Sequence, residues 1–402
     1  MNDQFDFNLE DKPELNIVEV EFNSVKEDGN SSHHHHHHHH HRHHHSRSKK
    51  RRRKKIIKRV LIGVGAGLLA LVLAAVGVFI YLRNVGRSEM IVEEYKIEAP
   101  KDIAVAHKDG QFIDYNGELY RYNENIANIL IIGVDKYEET DETKEIGKNG
   151  QADTLLLAAV DTSRRKITLI NIPRDILTDV KTYSMDGGYV GLKNMQICLS
   201  YAYGDGKESS CLNTEDAVQR VFYNLPIGSY FALDLAGVPT LNDAVGGVDV
   251  VSPNDLDDTG SSKVKGFVKG EKYHLEGEMS KMFVILREQH SPDANLKRNE
   301  RQKVYLKAFF NKAISSVKKN PGVALELYNA SAPYSCTDFN ASRVTYFAQE
   351  IATGSSYSLD IKSVPVDVGS KGGYAYNTIK EKEFYELFLS VFYEKVDSED
   401  VS

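Results

Sequence analysis

Acidic residues are missing from one stretch of this 402-residue chain, and charges of either sign are missing from the next. Between Arg42 and Arg59 there are eleven lysines and arginines and no aspartate or glutamate. Val60 to Leu82 then runs for 23 residues without a charge. About 20 apolar residues cross a bilayer core, so the run predicts one transmembrane helix. The basic run Lys49 to Lys55 outweighs Arg83 and Arg87 beyond it, which places the N-terminus in the cytoplasm and residues 83–402 outside. No small-x-small cleavage site follows the run, and the segment before it is too long for a signal peptide. From Arg83 onward 37 basic residues face 48 acidic ones, so the main body lacks the basic excess of a nucleic-acid binder. No internal repeat is present.

Cysteine is scarce, with Cys198, Cys211 and Cys336 all on the predicted outer side. Cys198 and Cys211 enclose a short polar stretch, and a disulfide between them is expected in an oxidising compartment, adding roughly 3 kcal/mol. Cys336 is left without an obvious partner.

Residues 1–55 read as a disordered cytoplasmic tail, polar and acidic at first, then carrying His33 to His41 and His43 to His45, then the basic tract. Residues 56–82 form the anchor, and 83–125 form a charged connector with a hairpin around Asn116-Gly117. A core is expected over 126–327 and a C-terminal extension of the same domain over 328–402. Strands are predicted over Ile129 to Ile132, Leu155 to Val160, Lys166 to Ile172, Tyr230 to Leu235, Val248 to Val251 and near Ile361 to Val368. Helices are predicted from a cap at Asn213 or Thr214, over Pro239 to Val245, Glu276 to Leu286, Asn299 to Ser316, Ser342 to Ile351 and Thr378 to Tyr393. The fold class is α/β, a three-layer α/β/α sandwich on a mixed central sheet, preceded by the single transmembrane helix.

Chemistry concentrates where strands end. Ile129 to Ile132 leads into Gly133-Val134-Asp135; Ala152-Asp153-Thr154 opens the next strand; and the strand after it runs into Pro173-Arg174-Asp175. Only five residues, Asp161 to Arg165, link the last two strands, which suits a hairpin rather than a crossover. Asp153 and Arg174 then share one edge of the sheet, and Asp135 can join them. Two carboxylates suit a magnesium (or manganese) ion, which takes one or two carboxylates plus phosphate oxygens. Guanidinium groups match phosphate oxygens, and Arg174, Arg287, Arg298 and Arg301 are the candidates. Arg174, Asp175 and Arg298 are the expected catalytic set. A general base is not evident beyond Asp175 or one of the metal-binding aspartates.

Further segments complete a pattern: Tyr201-Ala202-Tyr203-Gly204-Asp205-Gly206, Asp243 to Val250, Leu275 to Glu278 and Asn295 to Gln302. Together with the strand-end motifs, from about Asn128 to Leu306, they resemble the LytR-CpsA-Psr family of bacterial cell-wall enzymes. The family usually has Ser-Asp-Thr where this chain has Ala152-Asp153-Thr154. It often has two arginines where Phe283 to Glu288 supplies only Arg287. The resemblance implies a phosphotransferase that moves a glycopolymer, such as teichoic acid or capsule, from undecaprenyl pyrophosphate to a peptidoglycan hydroxyl. The implied partners are that lipid-linked donor, the peptidoglycan acceptor and the cytoplasmic membrane. The competing expectations are a hydrolase of lipid-linked pyrophosphates and a non-catalytic, lipid-binding regulator of the envelope.

Overall fold

A computed structural model describes residues 46–92, 96–98, 100, 111–135, 150–256, 266–288, 294–371 and 374–397. The histidine tract and the tail before it lie outside these residues. The chain divides into two units, Met1–Leu68 and Leu69–Ser402. Helix α1 (Ser46–Met90) begins in the first unit and continues into the second. Among the described residues it is the one helix long and apolar enough to cross a membrane. It outruns the uncharged stretch at both ends, because nothing in the flanking basic residues breaks a helix.

The second unit opens with the hairpin β1 (Phe112–Tyr115) and β2 (Glu118–Tyr122), turning at Asn116 and Gly117, both at positive φ. Three long strands follow as an antiparallel meander: β3 (Ile126–Val134), β4 (Ala152–Asp161) and β5 (Lys166–Ile172). A ribbon of β6 (Leu177–Tyr183) and β7 (Tyr189–Gln196) stands beside them, an element the sequence reading did not anticipate.

After a 3₁₀ stretch over Ile197–Tyr203 comes helix α2 (Glu208–Val221). It starts earlier than the expected cap at Asn213 or Thr214. Asp205 accepts from the Lys207 and Ser210 amides at 2.8 and 3.3 Å, so the N-terminal amides are satisfied one turn upstream. Asn213 instead donates to the Ser200 carbonyl at 2.6 Å from inside the helix.

Next come β8 (Ser229–Asp234), α3 (Val238–Ala244), the pair β9 (Val248–Val251) and β10 (Lys272–Leu275), α4 (Glu278–Ile285), α5 (Ala294–Lys319) and α6 (Gly322–Ser331). The remaining chain supplies β11 (Ser335–Thr337), α7 (Ala341–Ala352), β12 (Ser358–Ser363), the ribbon β13 (Val366–Lys371) with β14 (Tyr374–Ile379), α8 (Glu381–Phe392) and β15 (Tyr393–Val396). The expected single strand over Ile361 to Val368 is therefore two, broken between Ser363 and Val366, where Pro365 has no amide to give. The helix expected from Thr378 begins only at Glu381.

The central sheet has the order β11-β8-β3-β4-β5-β12. β3 is parallel to β8 and β5 to β12, while β4 and β11 run the other way, so the sheet is mixed. Its two faces bury alternate residues, as the two-residue period of a strand requires. Leu130, Ile132, Leu155, Leu157, Ile170 and Ile172 face α2 and α8. Ala158, Val160, Ile167 and Leu169 face the other way, toward Phe310 and Ile314 of α5 and Tyr346 of α7. Helices thus cover both sides, giving three layers. On α8, Phe384, Tyr385, Phe388, Leu389 and Phe392 recur at helical spacing and are all buried. A smaller core joins β9, β10, α4 and α5 through Val248, Leu275, Phe283 and Tyr305.

Candidate active site at the strand ends

Four strands, β3, β5, β8 and β12, point their C-terminal ends to one rim of the sheet, where open α/β sheets place their ligands. The meander is antiparallel, so β4 begins at that rim. Its first turn of pairing is irregular: Thr154 stands opposite Gly133, and Ala152 opposite Val134. Asp153 is therefore the extra residue of a bulge, re-aimed out of the ladder. Gly133 is needed here, since a β-carbon on it would lie 2.9 Å from the Thr154 side chain.

Pro173 ends β5, and the Ile176 amide closes a turn onto its carbonyl at 3.1 Å. That turn brings Arg174 back over the start of β4. Its guanidinium donates to the Asp153 carboxylate and, at 3.2 Å, to the side-chain oxygen of Gln151. Its Nε lies 3.6 Å from Asp175 Oδ1. Asp175 also accepts from Gln196 Nε2 at 3.0 Å, and Gln196 donates to the Ala375 carbonyl at 2.7 Å. Both contacts fall on Oδ1, so Asp175 is held between Arg174 and the ribbons while its carboxylate stays partly exposed.

Arg298, on α5, is half-buried, and its Nε is a buried donor with no hydrogen-bond partner among the described residues. Burial draws its proton affinity down, and Arg287 and Arg174 push in the same direction, while Asp153 and Asp135 oppose them. Burial likewise raises Asp153, with Asp135 adding to the rise and Arg174 and Arg298 resisting it. Burial would lower Arg174, but the charges of Asp153, Cys198 and Asp175 carry it up. Five expected residues, Asp135, Asp153, Arg174, Arg287 and Arg298, therefore act on one another across a single rim.

Two expectations are corrected. Arg301 is 1% exposed and does not offer its guanidinium to a ligand. It donates to the Phe283 carbonyl at 3.0 Å, to Asn254 Oδ1 at 2.7 Å and to the Leu286 carbonyl. One turn along α5 from Arg298, it faces inward and clamps the C-terminal end of α4, the segment that leads to Arg287. The expected Cys198–Cys211 pair is not brought together: Cys198 turns toward Gln151, and Cys211 toward the core it shares with Cys336. Cys198 sits against the site, its sulfur 3.8 Å from Gln151 Oε1, and burial pushes its thiol up to about 11. Cys211 lies instead against Cys336.

Gln151 and Gln196 were not singled out by sequence, and Cys198 was read there as half of a disulfide rather than as a neighbour of the site. The position of Gln151 two residues before Asp153, at the bulge, was the one available signal.

The family model of LytR_cpsA_psr matches residues 85–389. The chain belongs to the LytR-CpsA-Psr family. The match begins in α1 and ends in α8, beyond the span that sequence motifs had marked. Among curated relatives, a polyisoprenyl-teichoic acid–peptidoglycan teichoic acid transferase, TagV of Bacillus subtilis (strain 168), is 31% identical over 192 residues, 47% of this chain and 44% of that protein. The like-named TagU of Oceanobacillus iheyensis is 29% identical over 200 residues, 49% of this chain and 54% of that protein. The chain thus spans about half the length of the curated relatives it matches. The crystal structure of B. subtilis TagV shares the fold, with a TM-score of 0.51 at 23% identity, over 67% of this chain and 96% of that one.

The two carboxylates fit a magnesium ion by donor chemistry. No third His, Cys, Asp or Glu completes a protein cage among the described residues. Magnesium accepts such a site when phosphate oxygens and water supply the other ligands.

A groove of about 340 Å³ runs between α5 and β12, lined by Val304, Leu359 and Ile361 together with the charged Lys303, Lys307, Asp360 and Lys362. β12 leads to the same rim, because Ser363 pairs with Asn171 near the end of β5.

Proposed function

We propose that this chain transfers a glycopolymer from a polyprenyl pyrophosphate to peptidoglycan on the outer side of the membrane, anchored by α1 with its N-terminus in the cytoplasm. The buried Nε of Arg298, without a partner among the described residues and facing a rim shared with Arg174, Arg287 and two carboxylates, carries the reading. A buried donor without an acceptor costs free energy that an anionic ligand would return. The names of the TagV and TagU relatives support a polyisoprenyl-linked teichoic acid as the donor class. The basic tract in the first turns of α1 supports the orientation.

In this reading an acceptor hydroxyl attacks the phosphorus on the glycan side of the pyrophosphate. The bond from that phosphorus to the bridging oxygen breaks, polyprenyl phosphate leaves, and a phosphodiester joins glycan to peptidoglycan. Arg298 and Arg287 bind the non-bridging oxygens, where charge collects in the transition state. Arg174, oriented by Gln151 and Asp153, sits where it can donate to the leaving phosphate. Asp135 and Asp153 would hold magnesium, which supplies charge neutralisation at the pyrophosphate. Asp175 takes the hydroxyl proton. The groove between α5 and β12, through Val304, Leu359 and Ile361, receives the first isoprene units.

The test is the full chain in lipid nanodiscs with a polyprenyl-pyrophosphate-linked oligosaccharide, magnesium and peptidoglycan fragments. Oligosaccharide attached to peptidoglycan is the expected product, lost with EDTA and with Asp153→Asn. Free phosphorylated oligosaccharide would replace transfer with hydrolysis, and bound, unreacted donor would overturn catalysis.

A further inference from the structure

The α2 helix turns Cys211 fully inward, onto the face that packs over the sheet. At the sheet edge, β11 carries Cys336 in register with Ala232 of β8. Cys336 is partly buried against the same core, where α2 packs on β11, and each of the two thiols is the largest single influence on the other's proton affinity. Two thiols, 125 positions apart in sequence, are thus brought into one neighbourhood of the core. Cys198, by contrast, points to Gln151 and Arg174.

β11 has particular need of a restraint. It is three residues long and pairs on one side only. Just beyond it, Asp338 accepts from the Ser229 hydroxyl and from the Tyr230 amide at 3.0 Å. These contacts hold the strand's exit, while its middle rests on Cys336.

We propose that Cys211 and Cys336 are joined by a disulfide in the mature protein, stapling the chain between α2 and β11 across the base of the arm that carries Arg287 and Arg298. The enclosed loop contains α3 to α6, hence both arginines, whereas Asp135, Asp153 and Arg174 lie outside it. The bond fixes the arginine half of the rim relative to the carboxylate half. It rests on the outward orientation proposed above, since only an oxidising compartment keeps such a bond.

The oxidant is an exogenous disulfide, of a small thiol or a thiol oxidase. Cys336, the more accessible of the two, attacks as thiolate and forms a mixed disulfide, expelling one exogenous thiolate. Cys211 then gives up its proton, and its thiolate displaces the second exogenous sulfur. Two protein thiols lose two electrons and two protons, and the exogenous disulfide becomes two thiols.

The full chain is taken from membranes with N-ethylmaleimide present throughout, digested without reductant and mapped by mass spectrometry. A linked peptide pair bearing Cys211 and Cys336, with Cys198 alkylated, is expected. Alkylation of all three cysteines, or Cys198 in a crosslink, would overturn the proposal. On a loop of this length, reduction should lower the Tm by on the order of 10 °C in the parent and in Cys198→Ser, and leave Cys336→Ser unmoved. An equal drop in Cys336→Ser would also overturn it. Linkage found without glycan transfer would remove the proposed function alone; transfer found without linkage would remove the disulfide alone.

Discussion

Replacing Arg298 by methionine should make the protein more stable and less active at once. The side chain is half-buried, its Nε lacks an acceptor, and Arg287 and Arg174 repel it. An unsatisfied buried donor costs about 1–3 kcal/mol. Attraction to Asp153 and Asp135 offsets part of that cost, leaving a net gain of about 1 kcal/mol on removal. For a folded unit of this size the Tm should rise by about 2–4 °C. Methionine keeps the length and apolar stem, so little cavity is created. The lost contact, a charge-assisted bond to a phosphate, is worth about 3–4 kcal/mol in the transition state, or roughly 10²- to 10³-fold in kcat/KM. Scanning calorimetry and the nanodisc transfer assay, in one buffer, read both quantities. Inorganic pyrophosphate supplies a control, since it should raise the Tm of the parent protein and not that of the variant. A variant that melts several degrees lower yet transfers normally would refute the reasoning, because Arg298 would then be a packing residue.

Arg301→Met should show the opposite pattern: two carbonyls and Asn254 Oδ1 lose their donors, the Tm falls by roughly 10 °C, and transfer per folded molecule changes little. Calorimetry with activity normalised to folded protein separates the two arginines. Gln151→Leu removes an acceptor that orients Arg174, and kcat/KM should fall roughly tenfold with KM nearly unchanged. Glu215 on α2 is pushed up to about 7 by burial and by the charge of Asp338, against an ordinary value of 4.5. Its folded-state pKa is raised, so folding loses stability as pH climbs from about 4.5 to about 7, by up to about 3 kcal/mol. Glu215→Gln should therefore melt with the parent at pH 4 and clearly above it at pH 8, as denaturation at the two pH values would show.

The hairpin between β4 and β5 was legible because four features agree: two apolar strands, a five-residue link, proline after the second strand and an aspartate before the first. Asp153 and Arg174 at one rim followed from that alone. The β6–β7 ribbon was not legible. Its residues are largely exposed, with Tyr189, Val190 and Leu192 open to solvent, so no buried alternation marks it. Arg298 and Arg301 look equivalent in sequence, three apart at the start of one helix. Only the position of α4 makes the second a clamp and leaves the Nε of the first without a partner among the described residues.

The sequence by itself determined the local facts: the uncharged run, the strand periods, the residue types that suit phosphate and magnesium, and the order of motifs that marks the family. Each depends on neighbours within a few residues, or on a repeat that a side-chain period reveals. The tertiary structure decided the partnerships. It set Cys211 against Cys336 rather than Cys198, gave Arg301 to backbone carbonyls, bulged Asp153 out of its ladder, and brought the arginine of α5 to a rim formed more than a hundred residues earlier. Those outcomes depend on how helices and edge strands pack on the sheet, and packing joins residues whose distance in sequence carries no information about their distance in space.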